Sequence, residues 1–236
     1  MASWELTTAA DESLVSGTPP SGAPLQHRRL LRQDVYEMLL RELINGALAP
    51  GQRIRDDELA QRLNVSRTPV REALARLGTA GLVDTAPNRY TRVTPLFSPD
   101  LPVVLESLAA LYQLALRRAA TALTAGDELE LEVLARKLDE AARPDPFLVV
   151  QAFGRFCAER VASPILSQLI AIAQPRLQRI LRLQPQILAS VDTIDAVVDL
   201  VDALRARDEQ RAEQRFIEFF DRLSTEIHAS PLGNAG

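Results

Sequence analysis

Arg67 and Arg71 stand four residues apart in the stretch "SRTPVREALARL", at the predicted start of a helix. Because four residues make about one helical turn, both side chains would project from nearly the same face. A guanidinium group is planar and carries its N–H donors in a fixed fork, so it can bond O6 and N7 of a guanine together or grip a phosphate. The free N–H groups at a helix N-terminus would add to the attraction for phosphate. The pair therefore indicates contact with a nucleic acid.

The elements on either side of this pair follow the order of a winged helix-turn-helix domain. In sequence they are a helix over 31–46, a short strand at 52–55 and a short helix capped by Asp56 or Asp57. A longer helix with Thr68 as its N-cap and Pro69 at its first position follows, and then a hairpin of segments 82–86 and 90–94. We therefore predict such a domain over residues 28–95, and in this fold the second helix of the pair enters the DNA major groove.

The residues predicted to contact DNA lie at the start of this second helix, before the short helix, and at the hairpin tip. Arg71 falls off the apolar stripe that anchors the helix, and Arg67 precedes the predicted cap, so both can project outward. A solvated charged face is the alternative for the two arginines, and the order of the surrounding elements favours DNA. The full set is Arg55, Ser66, Arg67, Thr68, Pro69, Arg71, Asn88 and Arg89.

Charge is unevenly distributed along the chain, whose formal net charge is -4. Residues 28–95 carry 12 arginines and 8 acidic residues, so their net charge is +4. Residues 96–236 carry 15 basic and 20 acidic residues, so their net charge is -5, and residues 1–27 add three acids. A basic module followed by an acidic one favours nucleic-acid binding by the first module alone.

The second module, residues 96–229, is predicted to be entirely helical, which makes the whole chain mainly α. The expected helices lie near 100–124, 127–142, 146–162, 164–182, 191–206 and 208–228. Pro175 falls inside one of them and is expected to kink or split it. Residues 1–27, rich in Ser, Thr, Pro, Gly and Ala, and residues 230–236 are expected to form disordered tails.

The stretch "PGQRIRDDELAQRLNVSRTPVREALARLGTAGLV" closely resembles the DNA-binding domain of the GntR family of bacterial transcription regulators. The resemblance covers about residues 30–95. It implies that Arg67, Thr68, Arg71 and the tip of the wing contact operator DNA. The wing of the family usually carries a glycine at its tip, whereas "PNRYTRV" has none, which leaves the roles of Asn88 and Arg89 open.

Residues 98–228 resemble the FCD domain, the helical C-terminal domain of FadR-type members of the same family. The stretches at 103–120, 147–166 and 203–220 look like its first, central and closing helices, with Ser163 in place of Asn in an Asn-Pro-x-Leu motif. The resemblance implies a domain that binds a small effector and forms a homodimer.

Many FCD domains hold a divalent metal with one Asp and three His, and this chain departs from that pattern. The four positions fall on Val150, Gly154, Val197 and Phe219, none of which can ligate a metal. Leu108 stands where the family has a pocket arginine. We therefore expect no metal and no other cofactor, with an apolar pocket if one is kept. The candidates for the pocket are Leu108, Tyr112, Arg117, Val150, Gln151, Gly154, Arg155, Val197 and Phe219.

Two interpretations of this second module stay open. In the first, the pocket binds an effector that is more hydrophobic than a carboxylate. In the second, side chains of the core fill these positions, and the protein is a ligand-independent winged-helix regulator or a protein-interaction module.

Other functional classes find little support in the sequence. The two histidines, His27 and His228, lie near the ends, and no catalytic triad, glycine-rich phosphate loop or metal cluster is visible, so we expect no enzyme. The single cysteine, Cys157, fits a reducing cytoplasm, and no apolar run approaches the ~18 residues of a membrane span. The sequence thus predicts a homodimeric, cytoplasmic transcription regulator, by default a repressor, that binds a palindromic double-stranded DNA operator.

Overall fold

The structure, a computed structural model, describes residues 25–86, 89–140, 144–161 and 163–230. The N-terminal domain contains α1 (Leu25–Ile44), β1 (Arg53–Ile54), α2 (Asp56–Arg62), α3 (Arg67–Thr79), β2 (Val83–Ala86) and β3 (Tyr90–Val93). The C-terminal domain contains α4 (Leu101–Thr121), α5 (Ala125–Glu140), α6 (Pro146–Glu159), α7 (Pro164–Leu183), α8 (Pro185–Ser190), α9 (Thr193–Arg205) and α10 (Glu209–Ala229). The prediction of a mainly helical chain with a winged helix-turn-helix followed by a helical bundle is confirmed.

The core of the N-terminal domain forms where α3 crosses α1. Leu39 and Leu43 of α1 and Val70 and Leu77 of α3 are each 0% exposed, because the helical period brings these apolar residues to facing sides. The three strands form one antiparallel sheet in the order β1-β3-β2, in which β2 and β3 are the predicted hairpin. The sheet is the wing, and it lies beside α3.

The start of α3 differs from the prediction. Ser66, not Thr68, is the N-cap, so Pro69 is the third helical residue and not the first. Proline is tolerated there because the first N–H groups of a helix have no acceptor within the helix. The cap of α2 was also predicted wrongly, since Arg55 holds that position and Asp56 and Asp57 lie in the first turn. Acidic side chains suit the first turn because the helix dipole is positive there.

The C-terminal domain is a bundle in which α4 packs against α6, α7 and α10, and α9 packs against α5 and α10. The short helix α8 was not predicted. Of the two outcomes expected at Pro175, the split does not occur, since α7 is assigned as one helix from Pro164 to Leu183 with Pro175 buried inside it, and the kink stays a prediction. Packing on both sides of α7 offsets the hydrogen bond that proline removes.

The predicted tails lie mostly outside the described residues. Helix α1 already begins at Leu25, three residues before the predicted domain boundary, and residues up to 24 and from 231 onward are not described. Asn88, which was predicted to lie at the tip of the wing, is also outside the described part. Within the described ranges, no helix is long and apolar enough to cross a membrane.

Candidate nucleic-acid interface and C-terminal cavity

The outward face of α3 presents the two arginines that the sequence singled out. At about 100° per residue, Arg67, Arg71, Ala75 and Gly78 lie within one quadrant of the helix. The opposite side is buried and consists of Pro69, Val70, Ala73, Leu74 and Leu77. Arg67 is exposed, and the side chain of Arg71 is 66% exposed. Because Ala75 and Gly78 are small, the surface below the arginines is open to a large ligand.

Arg71 is held in place by Asp56, the first residue of α2. Its Nε donates a hydrogen bond of 2.6 Å to Asp56 Oδ2. This hydrogen bond lowers the pKa of Asp56, and the positive charge of the nearby Arg67 acts in the same direction. The other N–H groups of Arg71 remain available, so the ion pair orients the guanidinium without neutralising its donors.

A broad groove lies between α3, the start of α2 and the sheet, and it offers about 890 Å³ to the centres of water-sized molecules. Four arginines and three aspartates line it: Arg53, Arg55, Arg71, Arg89, Asp56, Asp57 and Asp84. Of the aspartates, only Asp56 pairs with a lining arginine in the described ranges. Across the wing, Arg53 donates a hydrogen bond of 2.8 Å to the backbone carbonyl of Arg89. Among the described residues, the side chains of Arg67 and Arg89 take part in no salt bridge, which leaves both cations open to a phosphate.

The remaining residues predicted to contact DNA occupy different positions. Ser66 and Thr68 are exposed at the start of α3, whereas Pro69 is buried, so its ring packs into the domain and has a structural part. Arg55 caps α2, and its NH1 lies 2.9 Å from Glu58 Oε1 at the surface. Ser66, Arg67, Thr68 and Arg71 therefore form a continuous exposed surface that could meet DNA.

The C-terminal bundle encloses a cavity between α4, α6, α7, α9 and α10. The cavity offers about 60 Å³ to the centres of water-sized molecules. Aliphatic and aromatic side chains form most of its wall. The polar side chains that line it are Tyr112, Gln151, Gln174 and Gln178, joined by the thiol of Cys157, and no charged side chain lines it.

Six of the nine predicted pocket residues line this cavity: Tyr112, Val150, Gln151, Gly154, Val197 and Phe219. The other three do not. Leu108 is 0% exposed and belongs to the core, and Arg117 is exposed at the surface 3.8 Å from Glu213. Arg155 is exposed and lines an outer groove on the far side of Gln151.

The cavity does not fit a divalent metal. The four positions that the FCD resemblance aligns with metal ligands all border the cavity, and their side chains supply no nitrogen, oxygen or sulfur donor. In the described ranges, no three His, Cys, Asp or Glu residues are grouped as metal ligands would be. At Gly154 the missing side chain leaves room for Tyr112, whose hydroxyl lies 3.2 Å from the place where a Cβ would stand.

Helix α7 lies between the cavity and the N-terminal domain and contacts each with a different face. Gln174, Leu177, Gln178 and Leu181 line the cavity. Arg176, Arg179 and Leu183 lie on roughly the opposite face, at about 100° per residue, and contact the other domain and the segment before α4. A Cβ on Gly81 would stand 3.0 Å from Cδ of Arg176, and a Cβ on Gly46 would stand 2.8 Å from Cδ2 of Leu183. The helix is thus in direct contact with both regions.

Arg179 is the most unusual residue at this domain junction because it is 2% exposed. Its NH2 donates hydrogen bonds to Thr94 Oγ1 at 3.0 Å and to the carbonyl of Pro95 at 2.7 Å. Within the described chain, its Nε and NH1 have no acceptor. Burial lowers the pKa of Arg179 to about 10, and the positive charge of Arg176 contributes. The sequence prediction did not include this residue, because an arginine is expected at the surface unless tertiary contacts bury it.

Comparison with known proteins identifies both domains. Residues 31–93 match the sequence profile described as "Bacterial regulatory proteins, gntR family", and residues 103–222 match that of the FCD domain. The solved structure of "E. coli McbR/YncC" superposes with a TM-score of 0.70 and 27% identity, covering 84% of this chain and 97% of that one.

Curated relatives are similar over shorter stretches. The HTH-type transcriptional regulator McbR of Escherichia coli (strain K12) is 34% identical over 122 residues, which are 52% of this chain and 55% of that protein. The HTH-type transcriptional repressor RspR of the same strain is 31% identical over 102 residues, 43% of this chain and 45% of that protein. The chain matches about half the length of the curated relatives.

Proposed function

Because the chain belongs to the gntR family of bacterial regulatory proteins and carries an FCD domain, we propose that it is a sequence-specific DNA-binding transcription regulator. It acts on double-stranded DNA in the cytoplasm and represses by occupying a promoter. The observation that carries this proposal is the exposed face of α3, where Arg67 and Arg71 project together beside a helix N-terminus. In a winged helix-turn-helix this face enters the major groove.

The contacts of the two arginines differ. Asp56 fixes the orientation of Arg71, and a fixed planar fork suits bidentate recognition of a guanine. Arg67 has no such partner among the described residues and lies at the first turn of α3, where phosphates are attracted to the helix N-terminus. We therefore assign base recognition to Arg71 and phosphate contact to Arg67, with Arg89 of the wing as a second phosphate contact.

The C-terminal domain binds a small effector in its cavity without a metal ion. Effector binding reaches the DNA-binding domain through α7, because α7 lines the cavity on one face and contacts the junction on the other. A ligand that displaces Leu177 or Leu181 would shift Arg176 and Arg179 with them, and these arginines hold the segment between the domains. The two DNA-binding domains of a dimer would then change their spacing.

The protein acts as a homodimer on a palindromic operator. The FCD domain over residues 103–222 supports this part of the proposal, because the resemblance to that domain implies a homodimer. Two-fold symmetry would relate two half-sites.

The proposal is tested by selecting binding sequences from a randomised duplex library with the purified full-length protein. We expect an enriched palindrome, and an affinity for it that falls with a log–log salt slope of about -0.9 per phosphate contact. A control duplex of scrambled sequence should bind far more weakly at the same salt. Failure to enrich any sequence, or an affinity independent of salt, would refute the proposal.

A further inference from the structure

The cavity of the C-terminal domain carries information about the chemistry of its ligand, because its polar groups are few and lie in defined places. Tyr112 is 9% exposed, and its hydroxyl has no hydrogen-bond partner among the described residues. This hydroxyl keeps access to water in the cavity, and a ligand that filled the cavity without bonding to it would leave it unpaired, which is unfavourable. The absence of a side chain at Gly154 leaves the hydroxyl its space. A ligand group that bonds to this hydroxyl would avoid that penalty.

The charge of the ligand follows from the wall of the cavity. No charged side chain lines the cavity. Burial raises the pKa of Cys157 to about 12 and raises the pKa of Tyr112 as well, so both groups are neutral at pH 7. A carboxylate placed here would lose its hydration without gaining a cation, which is costly. The cationic residue Arg155 lines the outer groove and not the cavity.

The size of the ligand follows from the volume. At about 10–15 Å³ of such space per water, the 60 Å³ of the cavity hold about four to six waters. At about 30 Å³ of liquid volume per water, this is roughly 120–180 Å³, comparable to the volume that accepts one benzene ring. A monocyclic molecule with one small polar substituent fits this space, whereas a long acyl chain does not.

Three glutamines mark the entrance. Gln151 of α6 and Gln174 and Gln178 of α7 line both the cavity and the outer groove, so they form the boundary between them. We call these three residues the glutamine gate. Their amides have no hydrogen-bond partner among the described residues, and all three are half-buried. As a neutral polar molecule passes these uncharged amides, it can replace its hydrogen bonds to water with hydrogen bonds to the amides.

We infer that the cavity binds a neutral, monocyclic-sized molecule whose polar group bonds to the Tyr112 hydroxyl after entry through the glutamine gate. This inference rests on the proposed effector role of the cavity and adds the chemical class of the ligand and the residue that orients it. The cavity does not support metal-assisted binding of a carboxylate, because Val150, Gly154, Val197 and Phe219 offer a metal ion no donor atom.

The test uses three probes that share one ring: benzyl alcohol, toluene and benzoate. Each is titrated into the full-length protein without DNA, by calorimetry or ligand-observed NMR. We expect benzyl alcohol to bind and benzoate to bind at least about tenfold more weakly, since its charge would be buried alone. In Tyr112→Phe, benzyl alcohol should lose about threefold to tenfold in affinity, the effect of one hydrogen bond, and toluene should be unchanged.

The control variant is Tyr90→Phe, which removes a hydroxyl from the wing. This hydroxyl donates a hydrogen bond to Asp84 and lies in the other domain, away from the cavity. It should leave all three affinities unchanged. Gly154→Ala is a second cavity variant, because its Cβ would stand 3.2 Å from the Tyr112 hydroxyl, and it should weaken benzyl alcohol even if Tyr112→Phe fails to fold.

Benzoate binding as tightly as benzyl alcohol, an unchanged benzyl alcohol affinity in both cavity variants, or binding of none of the probes would overturn the inference. These results are independent of DNA binding. If the protein binds the probes but enriches no operator, the inferred ligand class stands and the proposed function fails. If it enriches an operator but binds none of the probes, the proposed function stands and the inferred ligand class fails.

Discussion

The ion pair between Arg176 and Asp100 fixes α7 to the segment that joins the two domains, and replacing Asp100 with asparagine tests its contribution. Arg176 donates two parallel hydrogen bonds to the carboxylate, at 2.8 and 2.9 Å, and a further one to Ser98 Oγ. The side chain of Arg176 is 13% exposed and that of Asp100 is 64% exposed. Asparagine keeps the shape but offers one acceptor where the carboxylate offers two.

The size of the effect follows from this geometry. The carboxylate accepts two charged hydrogen bonds of about 1.5–3 kcal/mol each, and asparagine would keep one bond of about 0.5–1.5 kcal/mol, so the loss would be about 2.5–4.5 kcal/mol if the pair were fully buried. Asp100 is largely exposed, and exposed pairs contribute only about 0.2–1 kcal/mol. We therefore expect Asp100→Asn to lower the free energy of unfolding by about 1–2 kcal/mol, which lowers Tm by roughly 2–8 °C in a chain of this size.

The dependence on pH gives the prediction a second readout. The hydrogen bonds from Arg176 and Ser98 hold the pKa of Asp100 well below its usual range. A lowered folded-state pKa stabilises the protein above the unfolded-state pKa near ~3.9, and this stabilisation is lost as the pH falls below that value. The difference between wild type and Asp100→Asn should therefore be constant from pH 5 to 8 and shrink below pH 4.

Urea unfolding at pH 7 and at pH 3 measures both effects. The matched control is Asp202→Asn, which breaks a 3.4 Å pair with Arg205 in which both side chains are nearly half exposed. It should change the free energy of unfolding by less than about 0.5 kcal/mol. Equal effects of the two variants at pH 7, or a difference for Asp100→Asn that is the same at pH 3, would refute the reasoning.

Three further predictions concern other parts of the fold. Leu77→Ala removes a side chain that is 0% exposed between α3 and α1, and should lower the free energy of unfolding by about 2–5 kcal/mol in urea. Gly81→Ala should destabilise more than Gly51→Ala in thermal unfolding, because both have positive φ but only the first would meet Arg176, at 3.0 Å. The Cys157 thiol, whose pKa burial raises to about 12, should resist a thiol reagent at pH 8 until urea unfolds the protein; rapid labelling of the native protein would contradict its burial.

The sequence was sufficient to predict the winged helix-turn-helix, because its order of elements and its helical periodicity are local signals. The apolar stripe of α3 fixed which side is buried and therefore where Arg67 and Arg71 point. The N-cap of α3 could not be predicted from the sequence, because Ser66 and Thr68 are both good cap residues. Moving the start of the helix by two residues leaves the apolar stripe unchanged.

The features that were missed depend on contacts between distant parts of the chain. Arg179 is buried at the junction by Thr94 and Pro95, and an arginine is expected at the surface unless tertiary structure is known. Likewise, Arg160 of the segment after α6 is 14% exposed because it bonds to Asp127 and Glu130 of α5. Such pairs have no sequence period that would reveal them.

The assignment of α3 as the reading element is tested most directly by the affinities of Arg67→Ala and Arg71→Ala for the selected operator at one fixed salt concentration. Arg76→Ala is the control, because it removes the same charge from the same helix at a position that faces Gln33 and Tyr36 of α1. We predict that Arg71→Ala weakens operator binding by about 1–3 kcal/mol and reduces the difference in affinity between the operator and scrambled DNA. Arg67→Ala should weaken binding to the operator and to scrambled DNA alike, and Arg76→Ala should change neither affinity much. Unchanged operator affinity in both Arg67→Ala and Arg71→Ala would contradict the account.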